Sequence, residues 1–319
     1  MSDPVAGAPA GRQPKGDRHA VVPAPDFRSY YDRPVLKEPV WTWEVPSYFF
    51  AGGMAGAGAM LATAARRRGN EELARRSRQV AALAAAASPP LLISDLGVPS
   101  RFANMLRVFK PTSPLNLGSW LLAAFVPAAM GSALLDTADR LPRLQRAAEV
   151  TAAALGPAMA PYTAVLVSNT AVPAWQEARA ELPAVFAGSA AASAGAAAVL
   201  ATPYAHSAPA RRLAVIGVVA ETAASLALDR RLGDLAEPYH TGVAGTLERT
   251  ARALNLTGAA LLLAGRRGRG TTTGALAVLA GSLAKRWAVF KAGFGSARDP
   301  RSVVGPQRRR VDERRTTAS

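Results

Sequence analysis

The sequence contains no cysteine and only three histidines among its 319 residues. Without cysteine, the chain forms no disulfide bond, carries out no thiol chemistry and holds no cysteine-ligated iron–sulfur cluster. A haem of the cytochrome b kind takes two axial ligands, usually histidines that face each other between helices. Because His19 lies in the amino-terminal tail and His206 and His240 near predicted helix ends, we expect no such haem.

Aromatic residues are also scarce, at 6% of the chain, so Ala, Leu and Val supply most of its 50% apolar residues. The mean hydropathy of +0.09 is low for a membrane protein, and the distribution of charge is more informative. A membrane helix needs about 20 apolar residues to cross about 30 Å of hydrocarbon, and several uncharged stretches reach that length. The stretches are 45–65, 79–94, 111–135, 150–176, 182–210, 253–265 and 270–284. A further stretch, 213–228, is interrupted by Glu221.

These stretches predict an all-α integral membrane protein with about eight transmembrane helices. The predicted helices lie near 45–65, 79–96, 115–136, 148–168, 182–203, 211–229, 250–266 and 272–292. They form a transmembrane domain at 44–292, between an extramembrane tail at 1–43 and a basic tail at 293–319. Residues 1–40 are rich in Pro, Gly and charge and lack the apolar core of a signal peptide, so we expect a partner to order them.

The formal net charge of +16 would suggest nucleic acid in a soluble protein. Here the arginine clusters fall between the apolar stretches and have no interleaved aromatic residues, so we expect no nucleic-acid partner. The loops after the odd-numbered helices carry twice as many Lys and Arg residues as the others. Because cytoplasmic loops retain basic residues, those loops are expected in the cytoplasm and both termini outside, in the cell's cytoplasmic membrane.

Small residues recur at four-residue spacing in the first helix (Gly52, Gly56) and in the fifth (Gly188, Ala192). Such spacing lets helix backbones approach closely, and we expect close packing there.

The loop between the second and third helices has an unusual mixture of residues. It reads Asp95-Leu-Gly-Val-Pro-Ser-Arg101-Phe, continues through Arg107 to Lys110-Pro-Thr-Ser-Pro, and is followed by Trp120. An ordinary connection between membrane helices does not need acid, arginine, aromatics and turn-formers together. We interpret the loop as a docking and active-site segment, with Arg101, Arg107 and Lys110 as partner-docking residues.

This loop resembles a motif of the NrfD, or polysulfide reductase membrane-subunit, family. Two further segments match that family in the same order: Trp43-Glu-Val-Pro-Ser-Tyr48 with the following glycines, and Pro161-Tyr-Thr-Ala-Val-Leu-Val-Ser168 with Pro173-Ala-Trp175. The three segments together cover residues 41 to 190.

The resemblance implies two four-helix bundles that bind menaquinone or ubiquinone as an exchangeable substrate and hold no haem or iron–sulfur cluster. It also implies a docked ferredoxin-like iron–sulfur subunit and a molybdenum or tungsten pterin catalytic subunit, as in formate dehydrogenase-like respiratory oxidoreductases. Electrons would pass between quinone and the docked subunit.

Quinone chemistry needs hydrogen-bond donors to the carbonyl oxygens and a titratable group that relays protons. Glu44, Tyr48, Asp95 and Tyr162 all fall towards one face of the predicted helices and are the candidate quinone contacts, with Glu44 and Asp95 also candidate proton relays. Each also has a plain structural interpretation: interfacial aromatics for the tyrosines, a solvated helix-start acid for Glu44 and an ion-pair partner of Arg101 for Asp95.

Glu221 is a third proton-relay candidate, because a carboxylate in the middle of a span is costly unless it is protonated or paired. Lys285, Arg286 and Lys291 are expected to reach the lipid headgroups or a partner. Two other functions stay open: a proton-coupled transporter or channel, suggested by Glu221 and the interrupted helices, and a purely structural membrane anchor.

Overall fold

A computed structural model describes residues 36–98, 100–264, 268–299 and 302, apart from the side chain of residue 101. Every regular element in these residues is a helix. The eight long helices are α1 (Glu44–Arg67), α2 (Glu71–Asp95), α3 (Pro114–Thr137), α4 (Pro142–Ser168), α5 (Leu182–Ala201), α6 (Ala208–Leu232), α7 (Gly242–Leu263) and α8 (Arg269–Arg298). Shorter helical turns lie in the connections, at Arg101–Met105, Pro173–Glu177, Tyr204–His206, Gly233–Ala236 and Glu237–His240.

Successive long helices alternate in direction, which divides their connections between two faces. The long-loop face carries the connections 96–113, 169–181 and 233–241, together with the start of α1 and the end of α8. The short-loop face carries 68–70, 138–141, 202–207 and 264–268. Most of the two predicted tails lies outside the described residues, although α8 continues to Arg298 rather than ending at 292.

Four of the long helices, α1, α3, α4 and α5, are long and apolar enough to cross a membrane. Together with their packing, they make this chain an all-helical membrane protein. The other four long helices carry more charge along their length, and several of those charges lie inside the bundle.

Three helices begin earlier than the sequence predicts: α2 at Glu71 instead of 79, α4 at Pro142 instead of 148 and α7 at Gly242 instead of 250. The prediction stopped at charged residues on the assumption that they face water. In the structure, Arg78 and Glu248 are buried and paired, so the helix continues through them. Asn70 caps the extended α2, its side-chain oxygen accepting from the Leu73 amide at 3.2 Å.

Helices α1 to α4 pack on one another, as do α5 to α8, and α1 and α5 lie at the junction of the two groups. Phe49 of α1 and Phe186 of α5 meet there with ring centroids 5.8 Å apart, and both side chains are fully buried. The hydrophobic core on the α1–α4 side also includes Leu122, Phe125 and Met159.

Glycine permits the closest helix contact, between α5 and α6. A Cβ atom added to Gly188 would lie 2.5 Å from the Glu221 amide nitrogen, and one added to Gly217 would lie 2.2 Å from the Ala192 amide nitrogen. Since these neighbours are backbone atoms, they have little freedom to move aside. The close packing expected from Gly188 and Ala192 is therefore present.

A buried ion cluster near the short-loop face contains residues from all of the first four long helices, α1, α2, α3 and α4. The Arg78 guanidinium donates to Glu149 at 3.0 Å and to Asp136 at 2.7 Å. Arg66 reaches Glu149 at 3.1 Å and Gln145 at 3.0 Å. We call these five residues the Arg78 cluster. Removing one partner of a buried pair leaves an uncompensated charge, which typically costs about 3–5 kcal/mol.

The glycine contact predicts the effect of a single methyl group. Gly217→Ala should lower the free energy of unfolding by about 1–3 kcal/mol, because the added Cβ overlaps the α5 backbone. Thermal unfolding in mild detergent measures the effect. Gly131→Ala is the matched control, since its Cβ meets nothing within 4 Å and alanine favours the helix. Equal melting temperatures for Gly217→Ala and wild type would contradict the prediction.

Candidate functional site

The predicted acids Glu44 and Asp95 meet at the long-loop face through Thr42. The Thr42 hydroxyl donates to the Glu44 carboxylate. Its amide nitrogen lies 3.3 Å from Asp95 Oδ1, and its hydroxyl oxygen 3.4 Å from the same atom. Glu44 is buried, so its interpretation as a solvated helix-start acid is wrong. Thr42 thus links the start of α1 to the end of α2.

Tyr48 lies one helical turn below Glu44 on the same side of α1, and its side chain is 2% exposed. Within the part of the chain that the structure describes, its hydroxyl makes no hydrogen bond. The next residue on this side, Gly52, faces Met159 of α4 and Ser88 of α2. The Tyr48 hydroxyl is therefore a free polar group between three helices, beneath a pair of carboxylates.

Tyr162 of α4 lies close enough to Tyr48 for the two hydroxyl groups to interact electrostatically. Its hydroxyl donates to the Pro114 carbonyl at 2.9 Å, and its ring occupies the space that a side chain at Gly118 would need. This hydrogen bond joins α4 to the start of α3. It uses the Tyr162 hydroxyl, which the sequence analysis predicted as a donor to quinone.

The predicted docking loop presents basic and apolar residues to the outside. Arg107 and Lys110 are exposed, and between them Val108 and Phe109 are 64% and 62% exposed. The side chain of Arg101 lies outside the described part of the structure, so its expected pairing with Asp95 stays a prediction.

Asn116 holds this loop in place, a role that the sequence analysis missed. Its side-chain oxygen accepts from the Lys110 amide at 2.6 Å, and its side-chain nitrogen donates to the carbonyls of Met105 at 2.7 Å and Val108 at 2.9 Å. Trp120 also donates to the Val108 carbonyl at 3.3 Å. The position of Asn116 just after the turn-forming Ser-Pro pair was the available signal.

Glu221 lies apart from the α1–α2 carboxylates, in the middle of α6. It is 3% exposed and accepts from Asn255 of α7 at 2.9 Å. Lys285 and Arg286 of α8 are 5% and 1% exposed, so their expected position at the headgroups or at a partner is wrong. Lys285 pairs instead with Glu248 of α7 at 2.6 Å. No local sequence pattern predicts this pairing, because the two residues lie on different helices.

A cluster of aromatic side chains lies at the long-loop face, between the Thr42 linkage and the Lys285–Glu248 pair. Trp175 is fully buried, stacks on Trp41 with centroids 5.5 Å apart and donates to the Val289 carbonyl at 2.7 Å. Tyr239 donates to the Ala174 carbonyl at 2.8 Å, and burial raises the pKa of its hydroxyl above the usual range. Tyr239 therefore stays neutral at physiological pH.

A cleft of about 380 Å³ opens on the long-loop face between the start of α7 and the end of α8. Its lining includes Glu237, Val243, Lys291, Phe294 and Arg298. Within the described part of the chain, no group of three or more His, Asp or Glu side chains is placed to hold a metal ion.

These features define a helical membrane protein with a polar site at one end of its first four helices. The chain belongs to the polysulphide reductase, NrfD family, whose family model matches residues 34–228. The match includes the Thr42 linkage, the docking loop and Glu221, whereas α7 and α8 lie beyond it. A search of curated proteins found no significant match.

The contacts of Asn116 predict that its loss loosens the docking loop. Asn116→Ala should increase tryptic cleavage after Arg107 about tenfold, since each lost hydrogen bond contributes about 0.5–1.5 kcal/mol. Limited proteolysis with mass spectrometry measures the rate. Asn169→Ala is the control, because Asn169 makes a single bond, to the Val165 carbonyl, near the same face. The role of Asn116 is refuted by equal cleavage rates in both variants.

Proposed function

We propose that this chain is the quinone-interacting membrane subunit of a respiratory oxidoreductase complex. It crosses the cytoplasmic membrane with eight helices, has both termini outside and exchanges electrons with a docked iron–sulfur subunit. It needs no redox group of its own. Membership of the NrfD family supports this proposal, as do the four apolar helices and the exposed basic loop.

One observation carries the quinone assignment: the Tyr48 side chain is 2% exposed, its hydroxyl makes no hydrogen bond in the described chain, and it lies one helical turn from Glu44, which Thr42 links to Asp95. A buried donor without a partner costs about 1–3 kcal/mol, so it favours a ligand that accepts a hydrogen bond. A quinone carbonyl is such an acceptor.

The reaction follows from these groups. Reduction of the quinone takes two electrons from the docked subunit and two protons, and oxidation of the quinol returns them. Tyr48 donates a hydrogen bond to one carbonyl oxygen, while Glu44 and Asp95 exchange protons with water at the long-loop face. Tyr162 forms the wall of the quinone site opposite Tyr48. Its hydrogen bond to the Pro114 carbonyl sets the distance of this wall from α3.

The docking partner is recognised by the loop around Lys110. An acidic surface on that subunit would complement exposed Arg107 and Lys110, and the exposed Val108 and Phe109 supply apolar contact. Electrons would continue from it to a molybdenum or tungsten pterin subunit of the formate dehydrogenase-like class.

Removing the hydroxyl of Tyr48 tests the quinone site. Tyr48→Phe and Asp95→Asn should each lower quinone turnover by the purified complex about tenfold or more, because each removes a donor or a proton relay. Turnover with soluble quinone analogues is the measurement, and electron transfer within the soluble subunits should be unchanged. The controls are Tyr204→Phe and Asp139→Asn, which lie at the short-loop face.

Wild-type rates in both Tyr48→Phe and Asp95→Asn would reject this site. Wild-type complex that bound no quinone at all would favour the structural anchor instead.

Reversing one charge tests the docking loop. Lys110→Glu should weaken copurification of the iron–sulfur subunit, and more strongly at low ionic strength, where charge repulsion is least screened. Arg140→Glu is the matched control, because Arg140 is exposed at the opposite face. Equal recovery of the subunit with both variants would place the docking surface elsewhere.

A further inference from the structure

A second group of buried charges lies between α6, α7 and α8. The Lys285 ammonium lies 2.6 Å from Glu248 Oε1 and donates to the Ser225 hydroxyl at 2.9 Å. Lys285 and Glu248 are 5% and 6% exposed, and both lie beyond the segment that matches the family. Charged groups inside a membrane helix bundle are costly, so they are by default a functional hypothesis.

Glu221 continues this group towards the middle of the bundle. It lies one turn from Ser225 on α6, where side chains are about 5–6 Å apart, a gap that one water molecule can bridge. Asn255 donates to Glu221 Oε1, whereas Glu221 Oε2 and Asn255 Oδ1 have no protein partner within the described residues. Buried oxygens of this kind are usually satisfied by internal water.

A small cavity, lined by apolar residues such as Leu228 and Val289 as well as by polar ones, joins the Lys285–Glu248 pair to the outside. Its volume is about 20 Å³, and its lining includes Asp229, His240, Glu248 and Lys285. A cavity above roughly 10–15 Å³ with polar walls holds a water molecule. On its outer side, His240 Nε2 lies 2.9 Å from Asp229 Oδ1, and both side chains are partly exposed at the long-loop face.

Arg252 borders the same route, with its guanidinium 3.5 Å from Glu248 and 3.8 Å from Asp229. The titratable and polar groups therefore lie along one route from the long-loop face to the middle of α6, with gaps that water can bridge. Neutral Tyr239 lines the cavity but does not exchange its proton.

Arg286 stands at the inner end of the series. Its guanidinium donates to the Phe186 carbonyl at 2.8 Å and lies 3.9 Å from the centre of the Phe186 ring. It acts electrostatically on Glu221. Because a guanidinium keeps its positive charge, it repels a proton that would move past Glu221. The series is therefore open at one face and closed at the other end.

We propose that this series is a one-sided proton pathway, which carries protons between the long-loop face at Asp229 and the buried carboxyl group of Glu221. A proton from bulk water binds at Asp229 or His240, crosses the cavity water to Glu248 and passes by way of Lys285 and bridging water to the free oxygen of Glu221. Release follows the same steps in reverse. The pathway is separate from the proposed quinone site and does not depend on it.

A fixed structural ion network is the competing explanation. The groups that face Glu221 from the neighbouring helices are Ser189, Glu248, Asn255, Lys285 and Arg286. Glu221 and Glu248 balance Lys285 and Arg286 in formal charge, so such a network would keep Glu221 permanently ionised. A proton pathway requires Glu221 to exchange a proton, whereas a fixed ion network does not.

Infrared difference spectroscopy on the purified full-length chain in lipid nanodiscs measures that exchange. As pH is lowered, wild type should gain the C=O band of a buried carboxylic acid, and the band should shift in D₂O. Glu221→Gln should remove the band, and Glu221→Asp should restore one. Glu248→Gln should keep the band but slow its deuteration about tenfold or more, because the relay is interrupted.

Glu72→Gln is the matched control, since Glu72 pairs with Arg76 on α2, away from this series. A wild-type spectrum without a carboxylic acid band that Glu221→Gln removes overturns the proposal. So does deuteration in Glu248→Gln at the wild-type rate. None of these readouts uses quinone, so a failed quinone site leaves the result interpretable.

A second measurement uses the wild-type protein, so its result does not depend on whether the variants fold. An apolar carbodiimide reacts with a protonated buried carboxyl group, and peptide mass spectrometry locates the adduct. Labelling at Glu221 that increases as pH falls supports the pathway. An unlabelled Glu221 across the pH range of the stable protein overturns it.

Discussion

Buried charge has to be balanced inside a helix bundle, and this constraint decides how the helices of this protein are joined. The Arg78 cluster ties α1 to α4 near the short-loop face, and the Lys285–Glu248 pair joins α7 to α8. In each case an arginine or lysine in one helix meets a carboxylate in another. The charges that make these helices look unsuited to a membrane are therefore the contacts that hold them together.

The same constraint explains which parts of the fold the sequence predicts. Uncharged stretches fix the approximate position of the helices, because a local run of apolar residues needs no knowledge of neighbours. Helix ends depend on partners far away in sequence: Arg78 and Glu149 are 71 residues apart, and their pairing lets α2 begin at Glu71. No local pattern reveals such a pair.

In the candidate site, too, the sequence predicts some residues and misses others. The predicted helices placed Glu44, Tyr48, Asp95 and Tyr162 towards one face, and in the structure Thr42 links Glu44 to Asp95. Thr42, which links the two acids, and Asn116, which holds the docking loop, were missed, because the roles of such polar residues depend on partners that lie elsewhere in the fold. Lys285 and Arg286 were misplaced since a charged residue near a helix end was taken to reach for water, whereas each finds a partner inside.

The two polar regions are separated by a layer of aromatic side chains. Tyr48 contacts Phe49, Phe49 contacts Phe186, and Arg286 lies over the Phe186 ring. Phenylalanine rings offer no proton donor or acceptor of the kind that a relay needs. Both regions lie towards the long-loop face, so protons would reach the two regions separately from that face. Coupling between them would therefore have to be electrostatic or mechanical, through the packed α1–α5 contact, rather than by a shared proton.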